Sequence, residues 1–362
     1  MDNMQVKTNP LMDFARKVEC SVKLPSQGIW YDEDVIEFNQ IGEVDVKPML
    51  PNDEMAMANP ETLISGESIL KIITSCCEGV KKPEELYYPD VNALLLAIRK
   101  ATYGDTIEQE YICPQCWSKK TDIENAEYLR LTKEKYSGKE LTEEDGKEIK
   151  EEANKITRPI IAQMEKEGKL LITPQKIIVN IDNMLNSMTL MPENSIHETA
   201  EGLKIYLTPY KCSDKIKFTT KQLKIQKLSQ YFEKESEKYK EEDIVKKEYL
   251  DSLEKVTDMY FNITDISLDI LAASILKIVL PDGNVVDNKD QILEYIKNIP
   301  VSLVGELTQK VDRLNEYGVK QYLNCKCECC GHTWDEKFFG FNQTDFFGIG
   351  SWDYRLMKFH IS

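Results

Sequence analysis

The chain has 362 residues, 41% hydrophobic and 30% charged, enough for two domains with a real core. Its 62 acidic against 46 basic residues give a net charge of −16, which disfavours nucleic acid and membrane surfaces as main partners, because both demand a basic footprint. No run of about 18 apolar residues exists to make a transmembrane helix. Met1-Asp2-Asn3-Met4 lacks the basic and apolar regions of a signal peptide, so the cytoplasm of the producing cell is expected.

The N-terminal tip, through about Lys7, reads as a loose tail. Residues Leu24 to Pro48 read as β: a turn at Leu24-Pro25-Ser26-Gln27-Gly28, then Ile29-Trp30-Tyr31, then the alternating Glu43-Val44-Asp45-Val46-Lys47. Two helices follow. Ser65 is a candidate N-cap, Ile69, Ile72, Ile73, Cys76 and Cys77 form one stripe, and Gly79 is the stop. Asp90 caps the next, with Val91, Leu94, Leu95 and Ile98 on one face and Gly104 at its end. This spacing makes Cys76 and Cys77 packed hydrophobes rather than ligands; Cys20 and Cys212 default to buried packing as well.

A strand at Ile107–Ile112 leads into Cys113-Pro114-Gln115-Cys116. From about Leu131 to Lys169 the chain is charged and helix-prone, punctuated by Gly138, Gly146 and Pro159, which is the pattern of a solvated helical face. Strands are expected at Lys176–Ile181 and Leu203–Leu207, joined by a polar connection around Pro192-Glu193-Asn194. Residues from about Ser213 to Leu280 read as mostly helical, with Leu268, Leu271, Ala272, Ile275 and Leu276 as an apolar stripe. Pro281-Asp282-Gly283-Asn284 is a turn between β-prone flanks. Helices are expected over Asn288–Ile299 and Val301–Tyr317, with Gly318 as terminator. A strand from Val319 to Leu323 then delivers Cys327-Glu328-Cys329-Cys330-Gly331. The tail carries Trp334, Phe338, Phe339, Phe341, Phe346, Phe347, Trp352, Tyr354 and Phe359, an interface anchor or the packing of its own domain.

The two cysteine pairs carry the chemistry. A CxxC turn can aim two thiolates at one ion, and two such turns supply the four sulfurs of a closed tetrahedral zinc site. A reducing compartment favours metal over disulfides for such pairs. Cys113, Cys116, Cys327 and Cys330 are the proposed ligands of a structural Zn2+, with about 210 residues between the pairs. In the second cluster Cys327 and Cys330 are chosen because this is the CxxC followed by glycine, which suits a left-handed knuckle residue. Cys325 with Cys327 would make a less favourable CxC pair. Cys329 and His332 also remain open as substitute ligands. If the pairs meet, residues 1–120 and 319–362 form one domain, and 121–318 is a mostly helical insert with a few strands. The fold class is α+β: a split zinc ribbon of two CxxC knuckles, with a β-rich N-terminal segment and helical insertions.

The rival for Cys113 and Cys116 is thiol oxidoreduction, which needs a low-pKa cysteine at a helix N-terminus after a strand in a βαβ context. Trp117-Ser118-Lys119-Lys120-Thr121-Asp122 does not read as helix. Phosphate-binding glycine loops, GxSxG and HExxH are absent. The three histidines, His197, His332 and His360, form no motif. Lys215, Lys217, Lys221, Lys224 and Lys227 could make a basic patch for nucleic acid or an acidic subunit; a basic helix face is the plainer reading.

Leu24-Pro25-Ser26-Gln27-Gly28, Val46-Lys47-Pro48-Met49, Asp53-Glu54, Asn59-Pro60, Ile69-Leu70, the run Asp90 to Arg99, Tyr103-Gly104 and Ile112-Cys113-Pro114-Gln115-Cys116 together resemble the T-even-type bacteriophage baseplate protein family, whose name-giving member is a baseplate hub subunit. Leu323-Asn324-Cys325 through Cys330-Gly331-His332, then Asp345-Phe346-Phe347, is similar to that family's closing segment. The resemblance spans roughly the first 120 and the last 60 residues. The charged stretch after Leu131 and the helices between Ser213 and Leu280 look like additions. The resemblance implies a structural or assembly subunit of a contractile tail baseplate, in the hub region, and no enzyme activity. Its partners would be other baseplate and hub proteins in a symmetric multi-subunit assembly, in the host cytoplasm during assembly and in the virion if retained. The alternatives are a nucleic-acid-binding zinc-ribbon protein and a CxxC thiol oxidoreductase.

Overall fold

The computed structural model describes residues 16–58, 66–137, 142–218, 220, 265–320 and 322–337. Expectations for the N-terminal tip, Ser65, Asn59-Pro60, Lys221 to Lys227, most of the 213–280 stretch and the aromatic tail from Phe338 onward lie outside these residues. In chain order the elements are β1 (Cys20–Val22), β2 (Val44–Val46), α1 (Pro51–Ala58), α2 (Glu67–Cys76), α3 (Tyr88–Tyr103), β3 (Thr106–Tyr111), α4 (Pro114–Tyr136), α5 (Glu143–Lys166) and β4 (Gln175–Asn180). Then come α6 (Ile181–Asn186), β5 (Ser195–Glu198), β6 (Lys204–Leu207), β7 (Ile275–Val279), β8 (Val285–Val286), α7 (Lys289–Asn298), α8 (Val301–Asn315), β9 (Tyr322–Lys326) and β10 (Thr333–Lys337). The mixture is α+β. The described residues form two compact units: those within 16–105 and 181–320, and those within 106–180 and 322–337. These bounds differ from a division at 120 and 318. Strand β3 pairs with β4 along its whole length, from Thr106↔Asn180 to Tyr111↔Gln175, and that pairing carries residues 121–180 into the same unit as the first CxxC.

In the first unit β1 and β2 pair antiparallel, Cys20 opposite Val46. Ile29-Trp30-Tyr31 is not a strand. The Ile29 N–H reaches Ser26 O and the Tyr31 N–H reaches Gly28 O, so one turn runs into the next. Helix α2 buries Ile69, Ile72, Ile73 and Cys76, as its spacing requires; Cys77 has left the helix in extended backbone and is buried against Val46. Helix α3 starts two residues before Asp90. Tyr87 is its N-cap and Pro89 occupies the first turn, where a missing N–H costs nothing. Asp90 is therefore inside the helix and fully buried, not its cap. Gly104 ends the helix at φ 91°.

Sheet β5-β6-β7-β8 is antiparallel. Ile205, Leu207, Ile275 and Ile278 face Ile292 and Ile296 of α7 and Leu307, Val311 and Leu314 of α8. Strand β5 lies inside the stretch expected to be a polar connection. The helix at residues 265–273 stops before Ile275; Ile275 and Leu276 belong to β7, because a short apolar run satisfies either period and the sheet decides. The 281–284 turn is as expected, with the Leu280 N–H on Asn284 O at 2.8 Å and Gly283 at φ 88°.

Gly79 shows how tightly this unit is built. At φ +84°, a Cβ there would lie 2.0 Å from Glu37 O, and the Glu37 N–H donates to Gly79 O at 2.9 Å. Gly79→Ala is expected to destabilise by at least about 2 kcal/mol from backbone strain alone, read as a lower urea midpoint.

The second unit holds a helical hairpin of α4 and α5 and two two-stranded sheets, β3–β4 and β9–β10. Ile149, Ala153, Thr157 and Ile161 of α5 are buried at four-residue intervals. Leu131, Ile149 and Ala153 pack with Tyr128 and Tyr136. The expected solvated face is there, but it has this narrow buried stripe. Pro159 lies inside α5. Thr142 and Asp145 form a reciprocal capping box, so Thr142→Ala is expected to cost about 1 kcal/mol, measurable as lost helical ellipticity on heating.

Candidate metal centre

The site is built by two turns of the second unit. Strand β3 ends at Tyr111, and Cys113 becomes the N-cap of α4, with Pro114 in its first turn. The Cys116 N–H points at Cys113 Sγ, 3.5 Å away. The second turn closes the β9–β10 hairpin, in which Lys326 pairs with Thr333. There the Cys327 N–H donates to His332 O at 2.8 Å, and the Gly331 N–H to Cys327 O at 2.9 Å. Gly331 has φ 72°, so only this second CxxC lies at a hairpin tip. The first is a strand-to-helix junction, which departs from a ribbon of two like knuckles.

The two turns meet. One sulfur each from Cys113, Cys116, Cys327 and Cys330 lie within 4.8 Å of one another. Cys113 and Cys330 are 3.6 Å apart, and Cys116 and Cys327 are 3.8 Å apart. Four thiolates held tetrahedrally by metal–sulfur bonds of about 2.3 Å would have edges of about 3.8 Å. The donor set and its size therefore fit a metal ion. Cys113, Cys116 and Cys327 are buried, and Ile161, Leu170 and the partly buried Ile123, Met164 and Trp334 pack around them. No place is left for a water or substrate ligand beside four sulfurs.

The electrostatics separate Cys327 from the two thiols of the first turn. Burial pushes the Cys113 and Cys116 thiols up, against N–H groups of Cys116 at the first and Leu171 at the second. At Cys327 burial also pushes up, but the N–H groups of Cys330 and Cys329 and the Cys113 and Cys330 thiols outweigh it and bring Cys327 down to about 7. Amide donors aimed at sulfur stabilise thiolates and hold them in place for an ion.

The other candidate ligands stand apart from the cluster. Cys325 is buried in β9. The Cys329 thiol donates to Gly168 O at 3.1 Å. His332 stacks on Trp334, rings 5.8 Å apart and 8° from parallel. His197 lies on β5 in the first unit, and His360 is outside the described residues. Lys217 pairs with Asp214, and Lys215 lies over the Tyr88 and Tyr210 rings.

One expectation is overturned. Residues 117–122 are helical, the second turn of α4, so Cys113-Pro114-Gln115-Cys116 does sit at a helix N-terminus after a strand. Sequence reading missed this because Trp117 to Asp122 has no apolar period; Pro114 at the first helical position was the available signal. The helix N-terminus is there but the βαβ setting is not, since β3 pairs antiparallel with β4 in a two-stranded sheet. Burial raises both thiols, Cys113 is 2% and Cys116 0% exposed, and a disulfide-exchange thiol must be reached by its substrate.

The second unit is thus an α+β body closed by a four-cysteine cluster able to hold a metal ion. Residues 16–150 match the family described as T4 bacteriophage base plate protein, which supports a T4-type baseplate protein. The matched span takes in Cys113 and Cys116 and ends before the second pair. No curated protein and no solved structure matches the chain. Among the described residues no helix is long and apolar enough to cross a membrane.

Proposed function

We propose that this protein is a structural or assembly subunit of a contractile bacteriophage tail baseplate, in the hub region, acting through contacts with other baseplate proteins and not through catalysis. Cys113, Cys116, Cys327 and Cys330 hold one structural zinc, the ion for which a closed set of four thiolates is the usual site. The observation that carries the baseplate reading is the family match over residues 16–150. The chain assembles in the host cytoplasm and acts at the tail.

Quantitative mass spectrometry of intact phage particles and of tail intermediates tests this. A fixed ratio to the tube protein in both makes it a baseplate subunit and sets its symmetry. Presence in intermediates alone makes it an assembly factor. Absence from both sinks the reading. Nucleic-acid binding is the second reading for a zinc-bearing chain. With a net charge of −16 its salt dependence should be flat, and a steep slope in a DNA or RNA titration would revive it.

A further inference from the structure

We propose that metal loading is the folding switch of the second unit: with zinc bound, residues 106–180 and 322–337 fold; without it they unfold as one body, while the first unit keeps its structure. This rests on the zinc reading above.

The argument starts from the core. The second unit spans roughly 95 residues, yet its buried clusters are small. One consists of Cys113, Cys116, Ile161, Leu170 and Cys327, so three of its five members are the clustered thiols. Among the described residues another is Leu131, Ile149 and Ala153, and beyond these Ile107, Val179 and Cys325 are buried. Among the described residues this unit has no sheet of more than two strands, and an isolated two-stranded pair is marginal in water. Domains with so little apolar burial are commonly held by a metal or disulfides, and the cysteines here are free.

Chain connectivity adds a second reason. Cys116 and Cys327 are 211 positions apart, so the ion closes a very long loop. It also gathers three separate pieces: the start of α4, the Leu171 backbone and the β9–β10 hairpin. Without the ion, four facing thiols are poor packing partners, and the described contacts left to hold the hairpin are few: the Cys329 thiol on Gly168 O, the Tyr111 ring against Trp334, and the apolar contacts of Ile123, Met164 and Trp334 around the cysteines. Binding energy at such a site is folding energy.

The first unit is built to survive the loss. It has its own core, with Ile69, Ile73, Leu94, Leu96 and Ile98 at 0–1% exposure. It also holds the ends of the excursion itself, since the Ile181 N–H donates to Asp105 O at 2.7 Å.

The test is hydrogen–deuterium exchange on the full purified chain, with zinc content measured in parallel, before and after chelation and after zinc is returned. The expected result is one zinc per chain. Chelation then raises exchange of α4, α5, β3, β4 and β9 amides by about 100-fold or more toward unfolded rates, changes α3 and the β5–β8 sheet less than about twofold, and is reversed by zinc. If the chain binds one zinc but 106–180 stays protected after removal, or both units open together, the switch is wrong and the zinc site stands. If no zinc binds on purification or reconstitution, the zinc reading fails and the switch falls with it.

Discussion

Cys116→Ser is expected to yield a chain that purifies with less than about a tenth of a zinc per molecule, against one in the parent, since losing a direct ligand should exceed the 10–100-fold affinity loss typical of an outer-sphere partner. The Cys116 sulfur is wholly buried, faces Cys327 at 3.8 Å and receives the Leu171 N–H. A serine hydroxyl is a hard donor that stays protonated near neutral pH, and its oxygen is too short to replace sulfur at the vertex. Three thiolates would be left around a position open to water. Cys329→Ser is the matched control. Its thiol points to Gly168 O, 3.1 Å away, and is not one of the four clustered sulfurs, while serine keeps the backbone N–H that faces Cys327, so zinc content should stay at one. Metal analysis of both variants decides between this ligand set and one that includes Cys329. Equal zinc in Cys116→Ser and the parent would remove Cys116 from the set.

The cysteine pairing was legible because spacing is local chemistry: a CxxC turn announces its two thiolates without any knowledge of the fold. Helices α2, α3, α7 and α8 were legible for a similar reason, since each lays a full apolar stripe on a core. Helix α4 was not. Over 23 residues it buries only Cys116 and Leu131, too few for a period to emerge. Helix α5 announces its start with Thr142 and Asp145 but carries Pro159 inside, a residue that reads as a stop. Ile275 and Leu276 continued the stripe of the preceding helix and were assigned to it; hydrogen bonding to β6 puts them in a strand. Unit boundaries were the least accessible, because they depend on which distant strands pair. Nothing in Thr106–Tyr111 alone names Gln175–Asn180 as its partner.

Asp90 was read as a helix cap and is something costlier to lose. Its carboxylate is 0% exposed. It accepts the Ser26 N–H at 2.9 Å and the Tyr31 O–H at 2.6 Å. The Tyr31 oxygen in turn accepts the Tyr87 N–H at 2.6 Å, and the Tyr31 and Tyr87 rings stack 5.1 Å apart. One side chain thus ties the turns at Leu24–Tyr31 to the first turn of α3, where the helix dipole also favours a negative group. Asp90→Ala orphans the Ser26 N–H and the Tyr31 O–H in a dry site, and the expected loss is about 3 kcal/mol, a fall in melting temperature of roughly 6–12 °C for a unit of this size.

The same burial shapes the pH response. Desolvation pushes the Asp90 carboxyl up to about 6, even against the hydrogen bonds from Ser26 and Tyr31 that lower it. The free value is about 3.9, so the folded state keeps a proton that the unfolded chain has released between about pH 4 and 6. A raised carboxyl contributes stability that is complete below pH 4 and lost as pH rises through 6, to a total of about 3 kcal/mol for a shift of about two units. Asp90→Asn keeps an acceptor for Ser26 and cannot ionise. Relative to the parent it should therefore gain stability across pH 4 to 6 and hold that gain above. Urea melts of both proteins at pH 4, 5, 6 and 7 measure the difference directly. A difference that stays flat would mean Asp90 is ionised throughout, with its three-residue network supplying more stabilisation of the charge than burial removes.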